Sequence, residues 1–214
     1  MVFSSITFLF YFLPAALLLY YIVPGKLKNA VLFFLSLIFY AWGEPVYVVL
    51  MIFSTILDYT LGRIAGAFRG KKKAKAALFF SVVINLGLLC TFKYSGFVIR
   101  NIGHVLGMSL KVPKLSLPIG ISFYAFQTMS YTIDVYRGKV EPQKSIIRFG
   151  AYVALFPQLI AGPIVRYETI AEELEKRVHS PLLFAKGAKR FLCGLAKKVL
   201  LANNIGLLWE SMSA

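Results

Sequence analysis

An all-α polytopic membrane protein is the fold class this sequence predicts, on three observations. Apolar runs recur from one end of the 214-residue chain to the other. Hydrophobic residues make up 58% and charged residues 15%, against roughly 45–50% and about 25% in soluble domains; mean hydropathy is +0.72. The basic residues stand mostly in short loops between the apolar runs, the placement that orients helices against an anionic cytoplasmic leaflet. The chain is therefore a single membrane-embedded domain, 1–214: several transmembrane helices with broken or re-entrant segments, and a basic amphipathic interfacial helix near the C-terminus. The lipid bilayer is its first partner. A net charge of +15 in a soluble chain would point to nucleic acid, but this distribution points away from it.

Residues 1–25 carry no charge, and Val2–Val23 is long enough to span. The first cations, Lys26 and Lys28, follow the run instead of preceding it, unlike a cleaved signal peptide. The pattern predicts a retained helix in the plasma membrane, N-terminus outside, disturbed at Pro14. Ala30–Trp42 and Val46–Leu57 are each short of the roughly 20 residues of a straight crossing, and Gly43-Glu44-Pro45 splits them. A hairpin, or two short tilted helices, keeps Lys26 and Lys28 on the same side as the densest basic loop, Arg63 to Lys75, with Glu44 as a turn residue. Ala76–Phe92 reads as a span anchored by Lys93 and Tyr94, followed by a loop from Arg100 to Lys114 with His104 at the surface. Cys90 and Cys193 lie in separate apolar segments without metal-type spacing, so they read as small buried hydrophobes.

Leu117–Lys139 is the most informative stretch. It opens on Pro-Ile-Gly, stays uncharged through Ile133, and then meets Asp134 and a basic loop. Gln127, Thr128, Ser130, Tyr131 and Thr132 are too polar for a lipid-facing helix, so this segment is expected to line a cavity or path. Gln127, Tyr131 and Asp134 share one side at helical spacing; Asp134 also stands at cap or ion-pair distance from Arg137. Residues 149–165 are again uncharged but are interrupted by Pro157, Gly162 and Pro163, with Gln158 inside, as in broken helices bordering membrane-embedded sites. The tunnel-lining candidates are thus Gln127, Ser130, Tyr131, Asp134 and Gln158. Further on, Glu168 to Arg177 runs acid-first and base-last, as suits a short helix. Ser180-Pro181 then reads as an N-cap and first-turn proline. Phe184, Ala188, Phe191, Leu192, Leu195 and Val199 share one helical face opposite Lys186, Lys189, Arg190 and Lys197, which predicts a helix lying in the cytoplasmic interface.

The runs LPIGISFYAFQTMSYTIDVYRGKVEP at 117–142 and FPQLIAGPIVRY at 156–167, with VFSSITFLFYFLPAALLLYY and LFFLSLIFYAWGEP near the start, closely resemble the membrane-bound O-acyltransferase family. The nearest branch is the bacterial one typified by the alginate O-acetylation protein. The resemblance implies a ring of helices around a tunnel. It also implies transfer of an acyl group, commonly acetyl, from a cytoplasmic thioester such as acetyl-CoA towards an extracytoplasmic polysaccharide or acyl-accepting protein. No bound cofactor is implied, and Arg137, Lys139 and Arg148 become candidates for contacting the donor's phosphates. The family's histidine follows a further set of helices; neither His104 nor His179 matches it, so no catalytic residue is assigned. The expectation is that 1–214 is the N-terminal part of a longer protein and inactive alone. The alternatives are a non-catalytic membrane scaffold or a polysaccharide transporter subunit. A transporter built on internal repeats would show corresponding short segments in two halves, which this sequence does not.

Overall fold

The computed structural model describes residues 3–108, 116–159 and 164–213, and every regular element among them is helical. The first helix begins as a π turn, Thr7–Phe12, and continues as α1, Leu13–Ile22. Leu13 N–H reaches back to Phe8 O, five residues earlier. Pro14 cannot donate a backbone hydrogen bond and its ring crowds the preceding turn, so the helix widens just before it. After Pro24-Gly25, α2 (Lys28–Gly43) runs to the Glu44-Pro45 turn, and α3 (Val48–Ala67) follows. Glu44 is a turn residue, its N–H bonded to Tyr40 O at 2.9 Å.

Two helices exceed the lengths their apolar runs predict. α3 continues ten residues past Leu57, through Asp58 and Arg63, because Asp58 is fully buried among partners on other helices. α4, Lys72–Leu106, absorbs both the 76–92 run and the first part of the expected loop. Arg100 and His104 are therefore helical; residues 109–115 of that loop lie outside the described residues. Both cysteines are free and exposed, Cys90 on α4 and Cys193 on a later helix, contrary to the buried positions expected. These are outer helix faces, where a small apolar side chain serves as well against lipid as in a core.

Pro118 to Gly120 turns the chain into α5, Ile121–Tyr136. Gly120 has φ +79°, and a Cβ there would stand 3.0 Å from Leu159 O, so both conformation and space call for glycine. α6 (Ile146–Ala154) begins at Ser145, whose hydroxyl accepts from Arg148 N–H at 3.4 Å, and breaks at Leu155 before the short α7, Phe156–Leu159. Gly162 and Pro163 lie outside the described residues. α8, Tyr167–Glu175, is the expected acid-first helix. Ser180 caps α9 (Pro181–Ala196), accepting from Leu183 N–H at 3.1 Å. That helix continues through a π turn into α10, Asn203–Ser213.

Among the described residues, three helices are long and apolar enough to cross a membrane: Val48–Ala67, Lys72–Leu106 and Pro181–Ser213. The last is the segment expected to lie flat in the interface, and none of its residues is buried. α5 has 16 residues, about 24 Å at 1.5 Å per residue, short of the roughly 30 Å hydrocarbon core. It is instead the hub of the packing, between α3 and α4 and against α6 and α8, while α2 lies along α6. The main core gathers Tyr124, Tyr131, Val135, Phe149 and Tyr152 from these helices. A second, aromatic cluster joins Phe8, Phe39 and Phe156, tying the first helix and α2 to α7. Ring centroids there lie 5.5–6.1 Å apart, the range of favourable edge and tilted contacts.

Candidate functional site

α5 turns polar residues inward, and Gln127, Tyr131 and Thr132 find partners on other elements. Gln127 is buried, and its Nε2 donates to Tyr152 O at 2.9 Å. Tyr152 Oη donates to Val165 O at 3.0 Å, carrying the link from α6 to the segment before α8. Ser130 Oγ bonds back to Gln127 O at 2.8 Å. The Tyr131 hydroxyl accepts from Gln143 N–H at 2.9 Å, and its ring lies 4.5 Å from that of Phe149 and 5.0 Å from that of Tyr167. Asp134 is buried as well, with Lys139 N–H on its backbone carbonyl at 2.9 Å. Neither ion pair among the described residues involves it, so the pairing with Arg137 open from the sequence is not seen. Gln127, Tyr131 and Asp134 do share one buried side. Gln158, on α7, has a buried Nε2 without a partner, as has the Tyr124 hydroxyl on α5. Buried donors left open in an apolar interior are costly, and so mark places where a further polar group belongs.

Beside this wall, spacing alone missed a second constellation. The Asp58 carboxylate on α3 accepts from Ser81 Oγ, from Asn85 Nδ2 at 2.7 Å, and from Thr132 Oγ1 at 3.2 Å. Ser81 and Asn85 stand one turn apart on α4, and Asn85 Nδ2 also bonds Ser81 O at 2.9 Å. Thr132 Oγ1 lies 3.4 Å from Thr128 O, so its single proton serves two acceptors. No cationic side chain among the described residues lies within 4.0 Å of Asp58. Neutral donors from two other helices hold it instead. The sequence carried one signal, the four-residue spacing of Ser54 with Asp58 and of Ser81 with Asn85, but partners 23, 27 and 74 residues away are invisible to periodicity.

On the side where the α5–α6 loop meets α8 lies an open cleft of about 780 Å³, lined by Gln143, Arg148 and Tyr167 among others. Gln143 Nε2 donates to Tyr167 Oη at 2.7 Å; burial pushes the Tyr167 phenol above its ordinary range, and that hydrogen bond pulls the other way. Of the phosphate-contact candidates, Arg148 is engaged with Glu175 at 3.2 Å. The cleft presents Glu141, Glu168, Glu172 and Glu175 against Lys144 and Arg148, a sign unfavourable to phosphate. Arg137 and Lys139 are exposed on the loop after α5. His179 stands elsewhere, its Nε2 2.9 Å from Tyr20 Oη, and His104 is exposed in the last turn of α4.

No family model and no solved structure matches the chain. Curated proteins do. "Probable alginate O-acetylase AlgI" of Pseudomonas syringae pv. tomato is 41% identical over 97% of this chain and 41% of its own length. The protein of the same name from Azotobacter vinelandii is 40% identical over 96% of this chain and 42% of its own. A peptidoglycan O-acetyltransferase of Helicobacter pylori is 28% identical over 95% of this chain and 45% of its own. The chain thus spans less than half the length of the curated relatives it matches. The match runs through α5 and its flanking loops, the segments that place Gln127, Tyr131 and Asp134. Over nearly all of its length, then, the chain is similar to a portion of these alginate O-acetylases that amounts to about two fifths of their length.

Proposed function

We propose that the whole protein transfers an acyl group, acetyl in the simplest case, from a cytoplasmic thioester donor to hydroxyls of an extracytoplasmic polysaccharide. The match to alginate O-acetylases over 97% of the chain carries this reading. The inward polar side of α5 supports it. A membrane interior holds Gln, Ser, Tyr and Asp side chains only where they are satisfied by protein or border a path, and open donors stand on α5 itself, at Tyr124, and on α7, at Gln158. In this scheme the described residues shape the tunnel. The proton is taken from the acceptor hydroxyl by a histidine base that neither His104 nor His179 supplies. The chain of 214 residues is inactive alone, and it crosses the membrane several times with its N-terminus outside and the basic turn between α3 and α4 inside. The donor is acetyl-CoA or a related thioester, used as substrate.

Deleting the resident O-acetylase gene of an alginate-producing host and supplying the gene for this protein tests the activity. Restored acetyl ester on the exported polymer supports the reading; an unacetylated polymer despite membrane expression refutes it. A scaffold would leave the polymer unacetylated while still recovering partner proteins in pull-down. For residues 1–214 by themselves the expected result is no acetyl transfer from acetyl-CoA, and measurable turnover would overturn the inactivity.

A further inference from the structure

The turn before α2 and the linker before α9 meet at a pocket of about 450 Å³ that the transfer scheme does not use. Five cationic side chains line it, Lys26, Lys28, Arg148, Lys176 and Arg177, against the single carboxylate of Glu175. That carboxylate already pairs with Arg148. No carboxylate among the described residues lies within 4.0 Å of Lys26, Lys28, Lys176 or Arg177.

The walls are fastened together, so the cations are held close and not merely clustered in sequence. Asn29 Nδ2 donates to Leu174 O at 2.8 Å, and its Oδ1 accepts from Arg177 Nη2 at 2.5 Å. Lys28 Nζ lies 4.9 Å above the Tyr20 ring and 3.5 Å from His179 Nε2. The first turn of α2 lines the pocket, and no side chain caps it, which adds its unsatisfied N–H groups to the same field. Like charges crowded this way repel one another unless an anion enters. Beside the pocket, and sharing His179, lies an apolar slot of about 370 Å³ between Tyr21, Pro181 and Phe184.

We infer that this pocket is a binding site for a phosphate ester, with Lys26, Lys28, Lys176 and Arg177 contacting the phosphate oxygens. Lysines supply point charges and Arg177 a directed donor. A lipid headgroup and a soluble phosphate share this chemistry. The neighbouring slot suits the glycerol and first methylenes of a lipid, so an anionic phospholipid is the expected occupant. The site is separate from the α5 wall, and its test reads binding alone, independently of acyl transfer.

The test uses the purified chain in neutral detergent, titrated calorimetrically with dioctanoyl phosphatidylglycerol, dioctanoyl phosphatidylcholine and inorganic pyrophosphate. Lys26 and Lys176 make no side-chain hydrogen bond or ion pair with another described residue, so Lys26→Gln with Lys176→Gln leaves the packing intact. Phosphatidylglycerol should bind, and this double variant should weaken it about thirtyfold, whereas Lys72→Gln with Lys75→Gln on α4 should weaken it less than about twofold, since each nearby cation contributes on the order of 1 kcal/mol to anionic-lipid binding. Pyrophosphate bound as tightly as the lipid, and lost in the pocket variant, would support the site and make its occupant a soluble phosphate. Equal weakening by the two variants would reduce the effect to diffuse surface charge, and binding unchanged by the pocket variant would refute the site.

Discussion

Asn85 Nδ2 donates to Asp58 Oδ2 at 2.7 Å, joining α4 to α3 through a carboxyl group that pairs with no cation among the described residues. Two further donors, Ser81 and Thr132, reach the same carboxyl group. A buried carboxyl group held by polar donors depends on all of them, because each lost donor leaves a polar group unpaired in an apolar interior. Asn85→Leu should therefore destabilise the chain by about 1–3 kcal/mol, the order expected when a buried polar group loses a partner. Asp58→Leu should cost about as much or more, since it orphans the donors on α4 and α5 at once. Thermal unfolding in detergent measures both. A melting temperature unchanged by either variant would show that the network contributes nothing to holding the three helices.

α3 packs tightly against Tyr131 of α5 at Gly62. A Cβ there would fall 2.5 Å from Tyr131 Cε1, an impossible contact, and Tyr131 is fully buried against Phe149. Gly62→Ala should cost about 1–3 kcal/mol by overpacking. In a Tyr131→Leu background, where the obstructing ring atom is gone, the same substitution should cost much less. Additive costs in that double-mutant cycle would place the strain elsewhere.

Tyr131→Phe keeps the ring but removes the oxygen that accepts from Gln143 N–H. With the amide buried, the expected loss is about 1–3 kcal/mol, the desolvation cost of an orphaned donor. Faster hydrogen exchange at Gln143 is the local readout, and exchange unchanged from wild type would contradict the assignment.

Arg69 and Glu141 separate a useful interaction from an incidental one. The Arg69 guanidinium reaches Val135 O at 3.2 Å and Val140 O at 2.8 Å, as well as Glu141 at 2.9 Å. It closes the C-terminal end of α5 onto the loop after α3. Glu141 is 84% exposed, and an exposed ion pair contributes about 0–1 kcal/mol. Arg69→Lys, which loses the fork, should lower the melting temperature clearly, while Glu141→Gln should scarcely alter it. The reverse ranking would make the ion pair the principal contact.

Topology is open to direct labelling. With Cys90→Ala and Cys193→Ala as background, Lys71→Cys should resist a membrane-impermeant thiol reagent applied to intact cells and react after permeabilisation. Labelling in intact cells would invert the orientation proposed from the basic loops.

Much of this architecture was legible in the chain because it depends on neighbours in sequence. Apolar runs and their flanking cations determined the helical class and its membrane setting. Pro14, the Glu44-Pro45 turn and the Ser180 cap act on backbone within a few residues of themselves, so their effects could be stated in advance. Periodicity also put Gln127, Tyr131 and Asp134 on one side of α5 before that side was seen to be buried. Tertiary structure decided what those residues touch. The partners of Asp58 lie on two other helices, and only their convergence makes a carboxylate tolerable in the middle of an apolar helix; read alone, Asp58 looked like the end of a run. The same holds for the basic pocket, whose cations come from segments about 150 residues apart. Sequence distributes charge along a line, and only folding sets which charges share a space small enough to require an anion.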